Sequence, residues 1–204
     1  MAEPKKHPYD ESKIQTLSSI EHIRKRTGMY IGRLGDGSNY DDGIYILLKE
    51  VVDNAVDEYI MGHGRQVAIS TEGAEVTVRD YGRGIPLGKV IECVSQINTG
   101  AKYNDEVFQF SVGLNGVGTK AVNALSETFT VRSHREGQFV EASFRRGRLV
   151  SEKKGRSTDP DGTLVRFRPD PEIFKAYEFQ AEHIEHRLRH YAYLKISEGC
   201  NHRC

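Results

Sequence analysis

Gly43 to Met61, GIYILLKEVVDNAVDEYIM, has the period and composition of one amphipathic helix of about five turns. At about 100° per residue, Ile44, Leu48, Val51, Val52, Ala55, Val56 and Tyr59 share one side, and Glu50, Asp53, Asn54, Asp57 and Glu58 share the other. The first side is a core stripe. The second places Asp53 and Asp57 one turn apart, with Glu50 nearly in line, a repulsion that weakens a bare helix and that a cation would relieve. Glu50 and Asn54 stand at i, i+4, so a carboxylate able to act as general base and a neutral oxygen ligand project side by side. Hydrolysis of a metal-bound phosphate can use such a pair. A plain solvated acidic face reads equally from this helix alone.

Bulk composition bounds the alternatives. A chain of 204 residues holds one substantial domain with a small appendage. Lys+Arg 29 balances Asp+Glu 29, so no global basic field holds a nucleic acid; DNA, if it is a partner, is bound by another segment. No apolar run approaches the roughly 20 residues of a membrane helix, and MAEPKKHPYDESK lacks the apolar core of a secretory signal. Together with uneven Cys93, Cys200 and Cys204, which form no disulfide framework, this points to the cytoplasm and no membrane partner.

Outward from the central helix, residues 1–12 read as a polar arm with Tyr9 as its large anchor. Ile14, Leu17, Ile20 and Ile23 predict a helix over 12–26 with Ser12 as N-cap, a basic last turn at Arg24-Lys25-Arg26, and Gly28 as its stop. Gln66–Ser70 and Glu75–Asp80 read as a hairpin turning at Thr71–Ala74. Val90–Gln96 is a short helix, and Thr99–Phe110 is a polar, irregular stretch of the kind a movable lid uses. Phe129–Ser133, Gln138–Arg145, Arg148–Lys153 and Gly162–Arg168 are strands, the first three joined at Gly137 and Gly147. Four strands without intervening helices favour a largely antiparallel sheet. Ile173–Leu194 is mostly helical, so the chain divides into an arm (1–12), a domain (13–195) and an irregular tail (196–204). His183, His186 and His190 fall on one stripe that reads as a solvated face rather than a zinc site, and Cys93 reads as packing.

Two glycine motifs carry chemistry. Asp80-Tyr-Gly-Arg-Gly-Ile-Pro86 is a tight loop at a strand end with one carboxylate at its mouth. Gly113-Leu-Asn-Gly-Val-Gly118 places three glycines before a helix, where open backbone N–H groups favour an anion; a tight turn is the other reading. It is not a P-loop, because Thr119-Lys120 reverses the required order, and not a Rossmann fingerprint, because antiparallel strands follow.

Taken in order, Glu50/Asn54, Asp80/Gly82/Gly84, the glycine loop and Gly162-Thr163 resemble the four motifs of the GHKL ATPases. With RKRTGMYIG at 24–32, the chain is similar to the ATPase domains of bacterial type IIA topoisomerase B subunits, gyrase B and topoisomerase IV B, over about residues 9–194. The resemblance implies the Bergerat fold, an α+β two-layer sandwich with a mixed, mostly antiparallel sheet and helices on one face. It implies ATP and Mg2+ as ligands, Glu50 as the base that activates water, and Asn54 as the metal ligand. Asp80 would accept from the adenine amino group with support from Thr163; a carboxylate there would meet guanine's carbonyl as a second acceptor. Glu58 and Arg83 would pair at the pocket mouth, and Gly84, Ile85 and Pro86 would border the adenine. Lys102 and the loop Gly113, Leu114, Asn115, Gly116, Val117 and Gly118 would cover the phosphates. Tyr9 would reach the nucleotide of a second copy in an ATP-dependent dimer. The topoisomerase A subunit, DNA and aminocoumarin inhibitors are the further partners the resemblance implies, the first two through regions outside this chain. Thr27, Ala101 and Phe108 depart from the family's frequent Pro, Gly and Tyr, and Asn115 replaces a frequent His, which leans toward topoisomerase IV. Another GHKL ATPase, such as a mismatch-repair protein, and a non-catalytic docking module are the alternative readings.

Overall fold

The computed structural model describes residues 13–100 and 116–199. A six-stranded sheet carries the helices on one face. Its strands are β1 (Val67–Glu72), β2 (Glu75–Asp80), β3 (Ser126–Arg135), β4 (Gln138–Arg145), β5 (Arg148–Arg156) and β6 (Gly162–Pro169), in the order β1-β2-β6-β3-β4-β5. Every pairing is antiparallel, whereas the family resemblance implies a mixed sheet. The last strand in sequence enters the middle: β6 pairs with β2 on one side and β3 on the other. Alternation explains which face is dry, since Val76, Val78, Phe129, Val131, Val140, Ala142, Phe144, Val165 and Phe167 all point to the helices and are buried. The opposite face bears charge pairs such as Arg132 with Glu141, 2.6 Å apart. Hairpin turns occur at Gly137 (φ +74°) and Gly147 (φ +79°), as their positions in the sequence suggest.

The helices are α1 (Ser19–Lys25), α2 (Gly28–Ile31), α3 (Gly43–Ile60), α4 (Val90–Ser95), α5 (Gly118–Leu125), α6 (Pro171–Phe174) and α7 (Ala181–Gly199). α1 is shorter than its apolar spacing predicts. Its cap is Ser18, whose side chain and Glu21 bond each other's backbone N–H in a capping box, while Ile14 stays 67% exposed. Gly28 opens α2 instead of stopping α1. Arg24 does more than complement a dipole: it meets the fully buried Asp170 at 2.6 Å and donates to Ala124 O. The helical 173–194 region divides at Lys175 (φ +53°), where α6 ends, and α7 begins six residues later.

α3 packs on β1, β2 and β6 and also against α5 and α7, and these further contacts correct the two-sided reading of its sequence. Tyr45, Leu47, Asp53 and Asp57 are buried along with the predicted stripe, whereas Tyr59 is 39% exposed and Val56 half-buried. Asp53 is neutralised within the protein, by Lys49 at 2.5 Å and by the hydroxyl of Tyr191 from α7. Lys49 thus offsets the charge of Asp53 from within the chain. The histidine stripe is likewise not simply solvated: His183 bonds Ser38 O and stacks edge-on to Tyr45, and His186 packs on Tyr40.

Candidate nucleotide-binding site

Asp80 is the last inward residue of β2, so the alternation that buries Val76 and Val78 also buries this carboxylate to 8% exposure. Its Oδ1 accepts from the N–H groups of Gly82 (2.9 Å) and Thr163 (3.1 Å). Burial disfavours the charged form more than these bonds favour it, and its pKa is raised. The following loop is shaped by close approach. A Cβ on Gly82 would come within 2.8 Å of Glu58, and Gly84 sits at φ +72° with the His134 carbonyl 2.5 Å from where its Cβ would be. Ser133 then clamps the loop by donating to Ile85 O at 2.7 Å.

One turn along α3, Glu58 takes Arg83 bidentately, from Nε (3.0 Å) and a terminal nitrogen (2.9 Å), and also accepts the Arg83 backbone N–H (2.9 Å). Burial opposes ionisation of Glu58, but the bonds from Arg83 outweigh it and hold the carboxyl below its usual range. At the other end of the same face, the Glu50 carboxylate lies against Gly118, the first residue of α5; a Cβ there would overlap it. Asn54 Nδ2 donates to Glu50 O (2.7 Å) and to the Thr119 hydroxyl (2.9 Å). Gly116 adopts φ +59°, and the N-cap residue Val117 makes no side-chain bond to the first turn of α5.

α3 is thus a spine along which two clusters are spaced: Glu50, Asn54, Gly118 and Thr119 at one level, Glu58, Arg83, Gly82 and Asp80 at the other. Thr163 reaches Asp80 because β6 inserts beside β2. Ile85 is half-buried and Pro86 exposed. Tyr9, Lys102, Gly113, Leu114 and Asn115 lie outside the described residues, as do most of the 99–110 stretch and the last two cysteines. Sequence reasoning missed Thr119 and Ser133. In sequence the Thr119-Lys120 pair reads only as a failed P-loop ending, and Ser133 acquires its role from the Ser133↔Thr163 register, which has no local signal. Among the described residues, no group of three or more His, Cys, Asp or Glu could hold a metal; the side-chain oxygens of this cluster include Asn54 Oδ1 and the Glu50 carboxylate. This donor set suits Mg2+, which takes one or two protein oxygens and completes its shell with water and substrate phosphate.

Comparison with known proteins agrees with this arrangement. Residues 39–173 match the family described as histidine kinase-, DNA gyrase B-, and HSP90-like ATPases. The chain is 63% identical over 186 residues to the B subunit of DNA topoisomerase 4 from Borreliella burgdorferi, covering 91% of this chain and 31% of that protein. It is 40% identical over 197 residues to the B subunit of DNA gyrase from Thermotoga maritima, covering 91% and 30% respectively. It therefore spans about a third of the length of these relatives. Among solved structures, the 43K ATPase domain of Thermus thermophilus gyrase B, in complex with an aminocoumarin, aligns with a TM-score of 0.70 at 34% identity, over 86% of this chain and 45% of that one. Since the matched span runs from the loop before α3 to α6 and takes in both clusters, the chain belongs to the histidine kinase-, DNA gyrase B-, and HSP90-like ATPases, as a homologue of the topoisomerase IV and gyrase B-subunit ATPase domains.

Proposed function

We propose that this chain is the ATP-hydrolysing domain of a bacterial type II topoisomerase B subunit, of topoisomerase IV rather than gyrase. The 63% identity to a topoisomerase 4 relative, against 40% to a gyrase relative, supports the narrower assignment. The observation that carries the function is the seating of Glu50 against Gly118, with Asn54 bonded to the next residue. A general base, a metal-ligand candidate and the N-terminus of α5 meet there in one place.

In this reading Asp80 accepts from the adenine amino group while Thr163 and Gly82 hold its other contacts. Gly84, Ile85 and Pro86 border the base, and Arg83, fixed by Glu58, keeps that loop in place. Backbone N–H groups at Gly116, Val117 and Gly118 receive phosphate oxygens, assisted by Gly113, Leu114, Asn115 and Lys102. Glu50 orients the attacking water and takes its proton. Asn54 would hold Mg2+ through Oδ1, and the ion, when bound, would supply charge neutralisation to the phosphates. Phosphoryl transfer asks mainly for positioning and charge neutralisation, which residues on a rigid buried helix supply.

Residues 13–195 form the ATPase domain and 1–12 an arm whose Tyr9 reaches a second copy; α7 extends to Gly199, into the 196–204 stretch that reads as an irregular tail. ATP-dependent dimerisation then makes a gate for DNA strand passage, with the A subunit and DNA engaged by regions beyond this chain. The aminocoumarin in the Thermus thermophilus structure supports the same inhibitor class here. Among the described residues no helix is long and apolar enough to cross a membrane, in keeping with a cytoplasmic enzyme. A docking module built on the acidic face is disfavoured, because Asp53 and Asp57 are buried.

Turnover at saturating Mg-ATP tests the proposal. Glu50→Gln should retain nucleotide binding and lose roughly 100- to 10,000-fold in rate, the usual worth of a general base. Unchanged turnover, or no ATP binding by the parent chain, would refute it. The isolated chain should also turn over more slowly than a longer one carrying the next domain.

A further inference from the structure

A carboxamide can present either end to a ligand, and only its oxygen can meet a cation. Which end Asn54 offers is decided by its partners. Glu50 O is a backbone carbonyl and can only accept, so the end 2.7 Å away is the nitrogen. That bond is an i, i+4 return to the helix's own backbone, and it uses one of the two N–H groups. The Thr119 hydroxyl, 2.9 Å from the same nitrogen, accepts the other. With both N–H groups engaged on two different elements, the amide plane is fixed between α3 and the first turn of α5.

We infer that Thr119 is a positioning residue for Asn54: its hydroxyl, accepting from Nδ2, fixes the plane of the carboxamide whose oxygen would meet the divalent cation. The inference rests on the ATPase reading above. Thr119 suits the task for two reasons. It directly follows Gly118, which the Glu50 carboxylate faces, so the glycine turn that receives phosphate and the side chain that meets the metal are held in one register. It is β-branched and half-buried, so its hydroxyl has few rotamers to lose. Partners that orient a ligand in this way are commonly worth 10- to 100-fold in metal affinity.

The test is calorimetric binding of AMPPNP to the full chain, with Mg2+ and with EDTA, for the parent, Thr119→Val and Thr119→Ser. Valine keeps the shape and removes the acceptor; serine restores it. The expected result is that Thr119→Val loses at least about tenfold of the Mg2+-dependent gain in affinity and keeps the parent's affinity in EDTA, with Thr119→Ser restoring the gain. A Thr119→Val protein with the parent's Mg2+ dependence, or one weakened equally with and without Mg2+, overturns the inference and leaves the ATPase reading intact. A parent chain that binds no AMPPNP in either buffer overturns the ATPase reading itself. Should Thr119→Val not fold, a Thr119→Ser protein lacking the Mg2+-dependent gain overturns the inference on its own.

Discussion

Asp80 sits at the conflict between stability and recognition. Its carboxylate is buried and its pKa raised, so the ionised form is held at a cost to folding, while its two backbone donors address only Oδ1. An asparagine keeps that oxygen and removes the charge. Asp80→Asn should therefore melt no lower than the parent by calorimetry, yet, on the proposed ATPase reading, bind ATP about 10- to 100-fold more weakly through loss of a charge-assisted bond to the adenine amino group. A lower Tm with unchanged affinity would place Asp80 among the structural groups. Glu58 shows the reverse balance, since Arg83 satisfies its charge.

At the scale of elements, α3 depends on contacts made far along the chain. The Tyr191 hydroxyl donates to Asp53, pinning α7 to the helix that carries Glu50 and Asn54, and burial together with that carboxylate drives the phenol pKa upward. Tyr191→Phe should cost roughly 1.5–3 kcal/mol, the range for a hydrogen bond to a charged group, and should speed amide exchange in α7 before the sheet. A second clamp joins α1, the β4–β5 turn and α6 through Asp170, which is 0% exposed and meets Arg24 at 2.6 Å and Arg146 at 3.0 Å. Asp170→Ala leaves two guanidinium groups facing a dry site and should cost roughly 3 kcal/mol in denaturant unfolding, the low end for a broken buried pair, because both arginines keep a route to water. Its carboxylate also caps α6 at Glu172 N–H, so loss of α6 helicity should accompany the change.

For the whole molecule, acid sensitivity follows from groups buried by the sheet. His134 on β3 is 3% exposed, and burial, reinforced by the charge of Arg79, lowers its pKa. A lowered histidine takes up its proton in the unfolded chain before it does so in the folded one, so stability falls as pH drops below about 6.5. Glu58 adds a second loss at lower pH: its contribution is present above its unfolded pKa and disappears as pH falls through its depressed folded value. Calorimetric Tm between pH 8 and pH 5.5 should decline, and His134→Asn should flatten that decline while leaving the further loss that Glu58 brings below about pH 4.5. An unchanged slope in His134→Asn would assign the acid loss elsewhere.

How much of this is readable in advance depends on the range of the interaction. α3 is legible almost to its ends, and β4 residue for residue, because apolar periodicity and turn glycines are properties of neighbouring residues. The Asp80 loop and the three glycines are legible as motifs for the same reason. The fate of Asp53 is not, since Tyr191 lies 138 residues away and only the docking of α7 brings it near. Nor is the insertion of β6 between β2 and β3, which brings Thr163 to Asp80 and Ser133 to the loop. Local backbone preference and periodicity therefore determined the elements and their chemical equipment. Which faces met, and hence which charges were paired and that Thr119 came to Asn54, was decided only when burial of the common apolar face fixed the packing.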